Sequence, residues 1–221
     1  MATLALEGNT LHVTHGPPPA RTVSLPLDAL RLACLFVPRQ RRPRFPQTGD
    51  PQDPVDLHEL SDGQVARVRE ELAAAGAGQC ALFLEDYAGR YATIPWPDVE
   101  QSGVDLLAEL ARRRQTHRDR RAEWTRNAPG LILTGVSGDK ATFDGQGVRA
   151  GARRFLAWED LDRAEIRPGP KENTRACHFI PRPESRRRPF AVRIPDGKAD
   201  LFLAECAFWR ALAREQAQRP V

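Results

Sequence analysis

A stretch that occurs twice constrains this chain more than any other feature. Residues 153–164 read RRFLAWEDLDRA, and a weaker copy, TVSLPLDALRLA, occupies residues 22–33. The copies align at an offset of 131, with Leu25 on Leu156, Leu27 on Trp158, Asp28 on Glu159, Leu30 on Leu161 and Ala33 on Ala164. Spaced apolar residues supply a strand, acids break the run into a bend, and a leucine re-enters the core. Trp158 reads as a core anchor and Glu159-Asp160 as the bend. The chain is therefore expected to use one small module twice, over 1–126 and 127–221.

A length of 221 residues accommodates two such modules, at about 100 residues each. Hydrophobic residues make up 41% and charged residues 28%, the balance of a folded, soluble chain. The N-terminal MATLALEGNTLHV has no basic segment ahead of an apolar one and does not read as a signal peptide. Cys34, Cys80, Cys177 and Cys206 stand far apart, without CxxC spacing, and are expected to be reduced, mostly buried thiols in a cytoplasmic protein. The net charge of +4 is too small to imply a nucleic-acid partner.

Each half reads as strands first and a helix last, an α+β arrangement. In the first half, strands at 3–6 and 10–14 turn about Glu7-Gly8-Asn9, and others follow at 21–25 and 32–37. The 38–54 loop holds five prolines. The spacing predicts a helix over 61–75 with a Ser61/Gln64 capping box, a hairpin over 80–94, and a long helix beyond Pro97. The tail of that helix, with six arginines in 112–121, reads as a solvated connector in which Arg120 and Glu123 pair along the helix. In the second half, strands are expected at 131–134, 141–143, 147–150, 153–167, 176–180 and 190–194. The final helix, 199–216, carries Leu201, Phe202, Cys206, Trp209 and Leu212 on one face, with Trp209 and Leu212 as the expected plugs.

Gly147-Val148 followed by FLAWEDLDRAEI over 155–166, with Trp158 and Asp160 in place, resembles the bacterial pleckstrin-homology-like (PH-like) domains. The resemblance spans 131–214. In the first half it rests on the weaker copy, where Pro26-Leu27 replaces Ala157-Trp158. It implies, for each module, a bent antiparallel barrel or pair of sheets closed by a C-terminal amphipathic helix. It also implies a non-enzymatic module that binds lipid headgroups, peptides or proteins.

Arginine supplies the candidate binding chemistry, because its planar fork matches carboxylate and phosphate. Arg39, Arg41, Arg42 and Arg44 lie in one Pro-rich loop, and Arg182, Arg186, Arg187 and Arg188 in another. The two loops are expected at equivalent ends of the modules, forming one anion-binding face. The resemblance implies further cations on and between the first strands. The second half offers Arg149, Arg153 and Arg154 there, and the first only His12, His15 and Arg21. The plain alternative is solvated loops in an arginine-rich chain. His12 and His15 point to opposite faces of a strand, as do Cys177 and His178, so neither pair is expected to bind metal or catalyse. No GxSxG, Walker or GxGxxG motif occurs.

The expectation is a non-enzymatic adaptor without cofactor or metal, contacting a protein partner. An anionic lipid headgroup is the first alternative and an enzyme with an unrecognised site the second. Nucleic acid is not expected.

Overall fold

A computed structural model of the chain describes residues 2–15, 21–38, 44–46, 53–74, 80–98, 100–128, 130–169, 171 and 173–218. It divides into two compact units, Met1–Trp124 and Thr125–Val221.

Unit 1 begins with β1 (Thr3–Glu7), β2 (Thr10–His15) and β3 (Arg21–Pro26), an antiparallel sheet in sequence order. Leu4, Leu11, Val13 and Leu25 point inward, as the period of two requires. A 3-10 turn at Leu27–Ala29 then carries the chain round a corner into β4 (Leu30–Phe36). This strand lies inside a second antiparallel sheet, order β5-β4-β6-β7, with β5 (Val55–Asp56), β6 (Ala81–Asp86) and β7 (Tyr91–Pro95).

Between β5 and β6 comes α1 (Asp62–Ala74). The expected capping box starts it: Ser61 N–H donates to Gln64 Oε1 at 2.8 Å, and Gln64 N–H to Ser61 Oγ at 3.4 Å. A 3-10 turn at Trp96–Asp98 leads into α2 (Glu100–Arg112), whose Leu106, Leu107 and Leu110 join the core. The Trp96 indole packs so closely on α2 that a Cβ at Gly103 would collide with it.

Two expectations for unit 1 are corrected. The Pro-rich loop is not wholly at the surface, because Phe45 beside Arg44 is buried in the core. The arginine-rich tail is α3 (Arg114–Asn127), joined to α2 through Arg113, whose N–H donates to the Glu109 carbonyl at 3.1 Å and whose carbonyl accepts from His117 N–H at 3.0 Å, but it is not a solvated connector. That helix docks back onto unit 1 instead of standing in solvent.

Unit 2 has a four-stranded antiparallel sheet, order β11-β10-β9-β8, from β8 (Leu131–Thr134), β9 (Lys140–Phe143), β10 (Gly147–Ala150) and β11 (Arg154–Ala157). The turn at 158–160 leads into a three-stranded sheet of β12 (Leu161–Pro168), β13 (Thr174–Pro181) and β14 (Phe190–Pro195). The last helix, α4 (Ala199–Gln218), packs on strands of both sheets. Phe143 lies at the centre, with the rings of Phe179, Phe202 and Trp158 at 6.1, 6.2 and 6.4 Å. Trp158 is the anchor expected of it, and its Nε1–H donates to the Asp144 carbonyl at 2.7 Å. Gly147 lets β10 approach β11: a Cβ there would run into the Leu156 carbonyl and the Phe155 ring. Trp209 is buried as expected, whereas Leu212 is only half-buried and plugs nothing.

The fold is α+β, built of antiparallel sheets with a C-terminal helix. Among the described residues no sheet closes into a barrel, which corrects that expectation. The ladder lapses at each corner, between β3 and β4 and between β11 and β12, because the turn residues there point their backbone groups elsewhere. Leu27 N–H, for example, donates to the Asn9 carbonyl at 2.8 Å.

Candidate functional site

The predicted arginines fall into three groups. Arg39, Arg41 and Arg42 lie outside the described residues, and their neighbour Arg44 is exposed. Arg149 and Arg154 are engaged by their own unit. Arg149 lies 4.1 Å over the Phe155 ring, bonds Gln146 Oε1 at 3.0 Å and sits 3.5 Å from Asp144. Arg154 donates to the Ala150 carbonyl at 3.1 Å and the Ala191 carbonyl at 3.0 Å. Both hold strands together and are poorly placed to seize a ligand.

Arg153, Arg182, Arg186, Arg187 and Arg188 are exposed, and no carboxylate among the described residues neutralises them. Backbone contacts tie the arginine loop to unit 2 at two points. The 182–189 loop leaves β13 beside the corner, where Arg182 N–H donates to the Asp160 carbonyl at 2.8 Å. It returns into β14 at Phe190, and Arg154 holds the carbonyl of the next residue, Ala191. Arg153 therefore sits next to the residue that clamps the far leg of the arginine loop. The loop opens with a turn, in which Ser185 N–H donates to the Arg182 carbonyl at 3.0 Å, and Pro183 and Pro189 have no N–H to give to a ladder. Farther along β14, Arg193 pairs with Asp139 in the β8–β9 turn at 3.1 Å. Burial works to raise the Asp139 carboxyl, but Arg193 outweighs it and holds it below the ordinary range.

Unit 1 treats arginine in the opposite way. Arg113 joins Glu109, Asn9 and Asp28. Arg114 meets Asp62 at 2.9 Å, and Arg118 meets Glu59 at 2.8 Å. Arg120 donates to the Asp28 carbonyl and not to Glu123, which replaces the expected pair along the helix. Arg121 reaches Asp56 at 2.9 Å and Glu59 at 3.2 Å. Burial works against the charge on Arg121, but the two carboxylates outweigh it and raise its pKa. Beneath this row His117 of α3 meets His58, which follows β5, with ring centroids 4.0 Å apart and the rings tilted by 50°. Farther along, Trp124 covers the Arg31 guanidinium at 4.8 Å, and Arg31 makes a buried 2.8 Å ion pair with Glu85.

The residue-by-residue reading missed this clamp. A signal existed: Arg113, His117, Arg121 and Trp124 recur at helical spacing on one face of the 113–124 segment. It passed for a polar face because burial in the clamp is achieved by ion pairs and not by apolar side chains.

Elsewhere in unit 1, an open groove of about 700 Å³ between α1 and α2 is lined by Ala66, Arg69, Glu70, Ala73, Gln101 and Val104. It gathers no nucleophile with a base. Among the described residues no group of three His, Cys, Asp or Glu side chains is placed to hold a metal ion, and no helix is long and apolar enough to cross a membrane. All four cysteines are buried and none is in a disulfide, and burial pushes the Cys177 thiol well above its usual range. Comparison of the chain with protein-family models, with curated proteins and with solved structures finds no match.

Proposed function

We propose that the chain is a non-enzymatic binding protein made of two PH-like modules, and that unit 2 grips an acidic segment of a protein partner with Arg153, Arg182 and Arg186–Arg188. The observation that carries this reading is the contrast in arginine pairing. The α3 arginines that meet acids are bound within unit 1, while this group stands in solvent with its charge unspent. Exposed guanidinium forks on a loop outside the ladders suit carboxylates on a partner chain. The PH-like part of the reading is supported in unit 2 by a four-stranded and a three-stranded sheet spanned by one terminal helix.

Fluorescence anisotropy with a labelled poly-glutamate peptide tests the proposal. The full chain is expected to bind at low salt and to weaken as salt rises, since exposed charges are screened. Replacing Arg186, Arg187 and Arg188 together by Ala should abolish binding without unfolding the chain. Co-sedimentation with phosphatidylcholine vesicles, with and without anionic lipid, supplies the other arm. Protein that pellets with anionic vesicles but ignores the peptide overturns the proposal in favour of a lipid headgroup.

A further inference from the structure

We propose that the contacting imidazoles of His58 and His117 form an acid-sensitive latch that holds α3 against unit 1. The two rings come from different elements, His117 from α3 and His58 from the turn after β5, and meet at 4.0 Å and 50°. Both are essentially inaccessible to solvent, at 0% and 1% exposure. None of their four ring nitrogens has a hydrogen-bond partner. A core histidine kept for packing normally satisfies at least one nitrogen, since an unpaired buried polar atom is costly. Here neither ring has an acceptor bonded to it that would hold a proton, which favours neutral imidazoles.

The charges around the pair sharpen this. From α3 and the turn before it come Arg121, Arg113 and Arg120. The Leu27–Ala29 turn contributes Asp28, β5 contributes Asp56, and the segment beyond it Glu59. Arg121 already commits Asp56 and Glu59. A proton on either ring would place a new cation beside Arg121, where Asp56 and Glu59 are already paired with that arginine.

Burial, with His117 and Arg121 adding to it, lowers His58 well below its ordinary value. Burial and Arg121 likewise lower His117, to about 4. The undocked state therefore binds more protons than the docked one below pH 6.5. Docking is at full strength above that value and weakens as pH falls towards 4. Each histidine shifts the equilibrium roughly 30-fold between pH 7 and 5. Asp56 works the other way, because burial raises its carboxyl and its proton is taken up in the docked state, offsetting part of the loss. Release of α3 would free Arg113, Arg114, Arg118, Arg120 and Arg121 from their acids.

Hydrogen exchange of the full chain at pH 7, 6 and 5, corrected for intrinsic exchange, tests the latch. Amides of residues 114–124 should lose protection by roughly tenfold or more per pH unit below about 6.5, while β6 keeps its own. The double variant His58→Leu/His117→Leu should keep α3 protected across the range. Constant protection in the natural chain, or an unchanged fall in the variant, overturns the proposal. A carbon–proton NMR titration of the imidazoles in the natural chain gives an answer even if the variant fails to fold. Two of the five histidines should stay neutral down to about pH 5, and titration of all five near 6.5 overturns the latch.

Discussion

In unit 1 the strand after the corner, β4, carries one extra residue, Arg31, between Leu30 and Leu32. In unit 2 the strand after the corner, β12, carries its extra residue, Asp162, between Leu161 and Arg163. The two bulges stand at the same offset as the repeated sequence, yet they are anchored differently. Unit 1 buries the bulge side chain itself, pairing Arg31 with Glu85 and roofing it with Trp124. Unit 2 turns the bulge carbonyl inward, where a buried Arg210 from α4 donates to Asp162 O at 2.9 Å. A bulge leaves a residue outside the ladder, and an arginine is drawn in to satisfy what it exposes. The lesson is that one backbone device tolerates opposite side-chain solutions. It also explains why unit 1 needs α3: a buried ion pair requires a lid, and a helix-to-carbonyl bond does not.

The comparison can be broken most forcefully at the corner. Trp158→Ala should cost unit 2 about 3–5 kcal/mol and Leu27→Ala, at the matching position, about 2–5 kcal/mol, both read from urea unfolding. Near-zero effects would deny the corner its anchoring role. Arg31→Met strands the Glu85 carboxylate in the core and should destabilise by about 3–5 kcal/mol. A neutral result in thermal unfolding would mean that the ion pair is not what unit 1 is built on.

Acid should separate the units next. In unit 1, His58 and His117 bind protons less readily when folded, so stability drains as pH falls from about 6.5. In unit 2 burial works to raise Glu165, but Arg163 and Arg167 outweigh it and hold it low, as Arg193 does for Asp139. Those contributions persist above the ordinary carboxylate range and vanish only below it. At pH 5 hydrogen exchange should find α3 loosened and β13 intact. Ser61→Ala, which removes one arm of the capping box, is a smaller change, about 1 kcal/mol by circular dichroism melting. Smallest of all, the triple Ala replacement of Arg186–Arg188 should alter unfolding by no more than about 0.5 kcal/mol while removing peptide binding. A large loss of stability there would place those arginines with the structural ones of unit 1.

Much of the fold was legible because it follows from local rules. The Gly8 turn, the Ser61/Gln64 box, the corner at Trp158 and the apolar face of α4 each depend on residues close in sequence. The candidate site was half legible. The exposure of Arg186–Arg188 follows from a Pro-flanked loop that has no ladder to join. The engagement of Arg149 and Arg154 was not readable, because Phe155 and the Ala191 carbonyl reach them only once β10, β11 and β14 are assembled.

The chain alone determined the two-fold use of one stretch, the α+β order and the arginine-rich loops, because periodicity, turn chemistry and composition are written residue by residue. Tertiary structure decided which arginines are spent. Residues 112–121 and 182–188 look alike as strings of charge. They part company because Asp28, Asp56, Glu59 and Asp62 pair with arginines of the first, while no carboxylate among the described residues pairs with an arginine of the second, Glu184 within it included. Coulombic pairing depends on distance in space, and sequence separation does not supply it.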